Sequence, residues 1–451
     1  MNRERIAWLL SFLLLGVVAL RSPSAAQRDS DYLFVRTLVD IQRQVAANYV
    51  DPVDESKLEQ AAIDGMLNQL DPFTNYVPPA RIEDFDRMLE GTFKGIGIEL
   101  NQLENGAMEV VTPIDGSPAF KAGVLAGDII LKVNGESIEG LRRADVVKKI
   151  ADTPVDTEVR LRVRHETGEE VDLSMKRQEI VLPTIKGYER NQDGSWDWYV
   201  CDNPKIAYVR ITQFTPTTFT NVRDTMSDLL KQGMAGLILD LRWNPGGQLD
   251  QAVEVVDLFI SEGTIVSTKG RSRPEDIKMA KAPGTLPWFP MIVLVNEHSA
   301  SAAEIVAGSL MDNKRAAVLG ERSYGKGSVQ EVIRLEGDNG ELKLTVAYYY
   351  LPSGRLVHHK KGATTWGVEP QISVPMDEAT ERKVAEERLG QEKFKRASTK
   401  PTTKATNPAT QPVDIQMQRA VDTLILMTVL QSSPGSPPPA TGPTTRPAVI
   451  P

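Results

Sequence analysis

The chain of 451 residues predicts an α/β protein: a layered core of alternating strands and helices, preceded by a small β-rich insert. Three observations predict it. Beyond Gln178 the pattern runs strand, helix, strand several times over, which implies helices packed on a largely parallel sheet. Between residues 92 and 178 short strands crowd together, separated by turn chemistry. The two ends differ in kind from both, the first helical and the last rich in Pro and Thr. With 41% hydrophobic and 25% charged residues, the chain can bury real cores and is not disordered as a whole. The expected layout is 1–26 leader, 30–91 helical lead, 92–178 insert, 179–375 α/β core, and 376–451 a C-terminal helix with a polar, disordered tail.

The first residues read MNRERIAWLLSFLLLGVVALRSPSAAQ. Arg3 and Arg5 form a positive start, Ile6 to Leu20 an apolar run, and Ser24-Ala25-Ala26 a small-residue site, which together predict a signal peptide cut after Ala26. The run is short for a membrane span, and the alternative is an uncleaved anchor through residues 6–20. Either reading predicts export to a bacterial periplasm or cell envelope. The single Cys201 excludes an intramolecular disulfide or a thiolate metal cluster, and four histidines without an HExxH leave little material for a zinc site. A formal charge of −8 without a basic stripe argues against nucleic-acid binding. Residues 30–91 carry apolar residues at three-to-four spacing, as in LVDIQRQVAANYV and LEQAAIDGMLNQL, until DPFTNYVPP breaks the pattern.

In the insert, GIGIEL, MEVVTPI, DIILKVNG and VRLRVRHETGEEVDLSMKR read as strands, with Asn134-Gly135 and Thr167-Gly168 as turns. SPAFKAGV and LRRADVVKKIAD read as short helices between them. This module resembles a PDZ domain, on Gly95-Ile96-Gly97-Ile98 and on SPAFKAGVLAGDIILKVNG. The resemblance implies that Gly95, Ile96, Gly97 and Ile98 offer backbone N–H groups to a peptide's terminal carboxylate while the peptide pairs as an added strand.

The core elements follow in order: strand Ile206–Ile211, helix Thr218–Lys231, strand Leu237–Leu241, helix Leu249–Ile260, strand Met291–Val295, helix Ala302–Asp312 and strand Ala316–Leu319. Functional atoms are expected at the carboxyl ends of these strands. There VNEHSASAAEIV sets Ser301 at a helix start, beside backbone N–H groups able to hold an oxyanion. Ser299, two residues earlier, is expected as the simple helix cap, and His298 as a loop residue. GERSYGKGSVQEV places Lys326 and Gln330 on one face of an extended segment. A desolvated lysine can take a serine proton, and an amide can orient it without restoring its charge. The run Gly320 to Lys326 approaches a phosphate loop, but Gly327 stands where the Ser or Thr that holds magnesium is needed. In LDLRWNPGG, Gly246 and Gly247 let backbone approach a ligand closely.

Together these segments resemble the C-terminal processing peptidases, peptidase family S41, with an inserted PDZ domain. The likeness extends from YVDPVDESKLEQAAIDGML and LDPFTNY through GTFKGIGIEL, DLRWNPGG, SASAAE and GERSYGKGSVQ to WGVEPQI. It implies a crotonase/ClpP-like core and a Ser–Lys dyad, with Ser301 as nucleophile, Lys326 as base and Gln330 as the supporting amide. It further implies oxyanion donors at Gly247 and Ala302, with Gly246 the fallback, and no metal, nucleotide or other cofactor. The expected activity is endoproteolysis near the C-termini of protein substrates, captured through the PDZ module. Ala303, Trp243, Phe73 and Thr74 depart from the family's usual residues without removing a required group. The rival reading is a non-catalytic or latent PDZ adaptor that needs an activating partner. VDIQMQRAVDTLILMTVLQ, residues 413–431, is expected as a helix that docks on the body or joins a homo-oligomer.

Overall fold

The computed structural model describes residues 25–191, 194–392 and 414–432. The expected leader up to residue 24, its apolar run at 6–20, and the Pro/Thr-rich stretches 393–413 and 433–451 lie outside them. No described helix is long and apolar enough to cross a membrane.

The chain divides into two units. The first, residues 1–76 with 342–344, contains helices α1 (Ala25–Asn48) and α2 (Glu55–Leu67). Asp54 caps α2, its carboxylate accepting the Ser56 and Lys57 N–H groups and so satisfying donors a helix start leaves open.

The second unit opens with α3 (Ile82–Glu90), ended by Gly91 at φ 67°. The insert follows: β1 (Thr92–Gly95), β2 (Ile98–Gln102), β3 (Met108–Pro113), α4 (Pro118–Ala122), β4 (Ile129–Val133), α5 (Arg143–Ala151), β5 (Glu158–Arg164), β6 (Glu170–Lys176) and β7 (Gln178–Val181). Strands β2 to β6 form one sheet in chain order, closed over Val110, Val133, Val146, Val159, Leu161 and Val163. The register pairs Thr92 with Val181 and Gly95 with Gln178. The two ends of the insert therefore leave it side by side, which lets a module be added without opening the core.

The core strands are β8 (Lys205–Ile211), β9 (Gly236–Asp240), β10 (Met291–Val295), β11 (Ala317–Gly320), β12 (Ser328–Arg334) and β13 (Ile372–Ser373). All but β12 lie in one parallel run, β8-β9-β10-β11-β13. Between them come α6 (Thr218–Lys231), α7 (Leu249–Asp257) and α8 (Ala302–Asp312), and after them α9 (Glu378–Glu392) and α10 (Ile415–Ser432). The strands read as unbroken apolar runs because both faces of the sheet are covered. Val209, Leu239, Val293 and Val318 pack under α6, α7 and α8. Their neighbours Ile206, Ile238, Ile292 and Leu319 face Ala420 and Leu424 of α10. The C-terminal helix thus docks on its own core. Helix α7 stops at Asp257, three residues short of expectation. Helix α9 was not anticipated from the sequence; Asp377 Oδ1 accepts the Thr380 N–H at its start.

Candidate active site

Strand β10 ends at Val295 and the chain turns through residues 296–301 before α8. Ser301 closes that turn at φ 57°, ψ −116°, a left-handed conformation that serine rarely adopts and that a surrounding structure must enforce. It is the N-cap of α8. Ser299 is not the cap: its buried hydroxyl donates to the Leu241 carbonyl at 2.8 Å and accepts the Asn296 N–H at 3.0 Å. That position stitches the turn to the end of β9, and the N-cap position falls on Ser301 instead, its N–H held by Glu304.

Glu304, on the first turn of α8, is fully buried. Its Oε2 accepts the N–H groups of Ser301 at 2.7 Å and Lys326 at 2.8 Å. Its Oε1 accepts the Ser323 hydroxyl at 2.6 Å and the Gly325 N–H at 2.7 Å. One carboxylate therefore ties the serine turn to the lysine segment. Burial pushes this carboxyl above its ordinary range, opposed by those four donors. The buried Tyr349 hydroxyl adds a second tie, its single proton shared between the backbone carbonyls of Ser301 and Lys326; burial raises its pKa well above the usual phenol value.

Lys326 is half-buried between two glycines. A Cβ on Gly325 would meet Trp366 at 2.7 Å and His359 at 2.9 Å, and one on Gly327 would lie 2.4 Å from the His358 nitrogen. Only glycine fits at either side of the lysine. Gln330 is half-buried on β12, its amide donating to Ser328 Oγ at 2.8 Å and to Thr345 Oγ1 at 3.3 Å.

The loop after β9 closes the site. Gly246 has φ 99°, and a Cβ there would stand 2.7 Å from Ser301 Cβ. Its N–H is engaged by Asn244 Oδ1 at 2.8 Å. Among the described residues no acceptor meets the N–H of Gly247 or of Ala302. The Ala300 N–H donates to the Asn244 carbonyl at 2.9 Å, and the Trp243 N–H to Asn296 Oδ1 at 2.9 Å. The glycine loop and the serine turn are thus one hydrogen-bonded body. Exposed His298 turns away toward Glu297 and Glu381, at 3.6 and 3.8 Å.

In the PDZ module, Gly95, Ile96, Gly97 and Ile98 border a small cavity of about 90 Å³ with Leu100, Val147 and Ile150. Ser117 Oγ donates to the Gly97 carbonyl at 3.1 Å and holds that loop.

The carboxylate of Glu304 and the hydroxyl of Tyr349 were not found by sequence reasoning. The spacing Ser301-x-x-Glu304 is a capping-box signal that could have found the first, whereas nothing local marks the second.

The peptidase family S41 model matches residues 205–374 and a PDZ domain model residues 109–165. The carboxy-terminal-processing protease of Bartonella bacilliformis is 39% identical over 75% of this chain and 76% of its own. The carboxy-terminal processing protease CtpA of Bacillus subtilis strain 168 is 33% identical over 74% of this chain and 67% of its own. Among solved structures, the photosystem II D1 C-terminal processing protease aligns at 27% identity and TM-score 0.42, over 75% of this chain and 92% of that one. The chain belongs to the carboxy-terminal processing proteases of peptidase family S41, serine-type hydrolases that here carry a PDZ domain.

Proposed function

We propose that this protein is a serine endopeptidase that acts through Ser301 and Lys326 and cuts protein substrates near their C-termini. The observation that carries the reading is the Glu304 carboxylate, which holds the Ser301 and Lys326 backbones on a single oxygen. In this mechanism the neutral Lys326 amine takes the Ser301 proton as Oγ attacks the scissile carbonyl. The tetrahedral oxyanion accepts the N–H groups of Gly247 and Ala302, which point at no protein acceptor among the described residues. Gly246, whose N–H is held by Asn244, packs beneath Ser301 instead. The lysine proton passes to the leaving amine, and Lys326 then activates the water that releases the acyl group. The amide of Gln330 is fixed on Ser328, which leaves its carbonyl oxygen for orienting the lysine.

The PDZ loop Gly95–Ile98 would receive the substrate's terminal carboxylate, and the apolar lining from Leu100, Val147 and Ile150 favours an apolar last residue. The leader pattern supports export to the envelope, to be checked by cell fractionation. A homo-oligomer through residues 413–431 would use the outward stripe of α10, Leu426, Val429 and Leu430, each more than half exposed. Ser301→Ala and Lys326→Ala should each abolish trimming of a denatured protein, with losses in kcat of about 10²-fold or more, and Ser301→Ala should abolish phosphonate labelling. Unchanged cleavage by Lys326→Ala would sink the dyad.

A further inference from the structure

We propose that Asp414, at the head of the C-terminal helix, is a positioning residue for the glycine loop beside Ser301, so that the head of α10, though not its body, supports the catalytic site. The proposal builds on the assignment of Ser301 as nucleophile and Gly247 as oxyanion donor.

Arg242 has no exposed surface, and a guanidinium cannot shed its charge inside a protein. Its charge needs an anion and its five N–H donors need acceptors. Asp240, at the end of β9, takes its Nε and one terminal nitrogen. Asp414, 172 positions further along the chain, takes both terminal nitrogens at 3.0 and 2.9 Å, a bidentate geometry. Gln416 adds an acceptor at 3.0 Å. Arg388 of α9, nearly as buried, donates to Asp240 at 2.8 Å and to Asp414 at 3.2 Å. Two guanidiniums and two carboxylates thus balance in one buried cluster. Without Asp414 the pair of cations would share a single anion, and Arg242 would have to shift toward water.

That shift would reach the site within a few bonds. Trp243, next in the chain, is held at φ 58°, with its N–H on Asn296. Asn244 then fixes Gly246, whose α-carbon lies against Ser301. Asp414 lies outside the residues that the family model matches, which end at 374.

The test uses the full-length chain. Asp414→Asn should lower kcat at least tenfold with KM within about twofold, and should slow phosphonate labelling of Ser301 in proportion. Gln416→Ala, which removes one acceptor from Arg242 without removing charge, should lower kcat by a smaller factor and decides the matter if Asp414→Asn does not fold. Leu424→Ala, which weakens the same helix on the far side of the sheet, serves as the stability control. It should lower the melting temperature while leaving kcat near wild type well below that temperature. A kcat unaltered in Asp414→Asn, or a kcat loss in Leu424→Ala equal to that of Asp414→Asn, overturns the proposal. If Lys326→Ala retained activity, the dyad itself would fail. A Lys326-dependent enzyme indifferent to Asp414→Asn would sink only the positioning role.

Discussion

Ser301 sits where a serine has little reason to sit, and the residues around it explain why it stays. The left-handed backbone at φ 57° costs of order 1 kcal/mol or more, and Glu304 offsets that cost by accepting the strained N–H together with three further donors. Glu304→Gln puts an NH₂ group against two of those donors. It should destabilise the protein by about 2–4 kcal/mol and lower kcat, as measured by urea denaturation and peptide cleavage. Gly247 is equally constrained: at φ 143° an added Cβ would lie 2.1 Å from the Phe214 carbonyl oxygen, a backbone atom that cannot step aside. Gly247→Ala should therefore cost roughly 3 kcal/mol and abolish labelling of Ser301 even where the chain still folds. The strand–turn–helix that carries the serine was legible in SASAAE. The spacing Ser301-x-x-Glu304 signals the local half of the acceptor's role, but not its tie to Ser323, Gly325 and Lys326, which lie about twenty residues further along the chain.

At the scale of elements, the core strands and helices were the most readable part. Thr218–Lys231, Met291–Val295 and Ala302–Asp312 appear with the bounds their patterns predict, since long apolar runs and helical periodicity are local signals that burial reinforces. Helix α9 was missed because it is mostly polar, with only Val384 and Arg388 buried. In the PDZ module the Gly95–Ile98 loop depends on Gly97, at φ 80°, where a Cβ would lie 2.2 Å from Ser117 Cβ. Gly97→Ala should distort that loop at a cost of about 1–3 kcal/mol. Binding of a fluorescent peptide with a free apolar C-terminus should be lost, measured by anisotropy, while Ser301 labelling persists. Labelling lost along with binding would count against separate roles for the two sites.

At the scale of the second unit, the module and the core meet around Arg190, which pairs with Asp115 of the module and stacks 3.6 Å over Trp196 of the core. Beside that contact lies a cavity of about 390 Å³ lined by Phe93, Ile98, Pro113, Leu182, Trp196 and Leu389. Among the described residues this joint rests on a part-exposed ion pair and a stacked ring beside an open cleft, which makes it a weak one. Arg190→Ala should accelerate proteolytic nicking at this joint in a limited digestion without changing phosphonate labelling; equal digestion rates would show that the pair does not hold the module.

The α/β core, the inserted module and the segments that bear Ser301, Lys326 and Gly247 are readable along the chain, because each is written in neighbouring residues. Folding is needed to show that Ser299 is a stitch while Ser301 holds the N-cap position, that Gly246 and Gly247 differ in whether their N–H is engaged, and that the C-terminal helix covers one face of the sheet. The cause is the same in each case. A hydrogen bond or an ion pair has no periodicity, so partners such as Arg242 and Asp414, 172 residues apart, leave no mark in the sequence until folding brings them into a buried space where neither charge can remain alone.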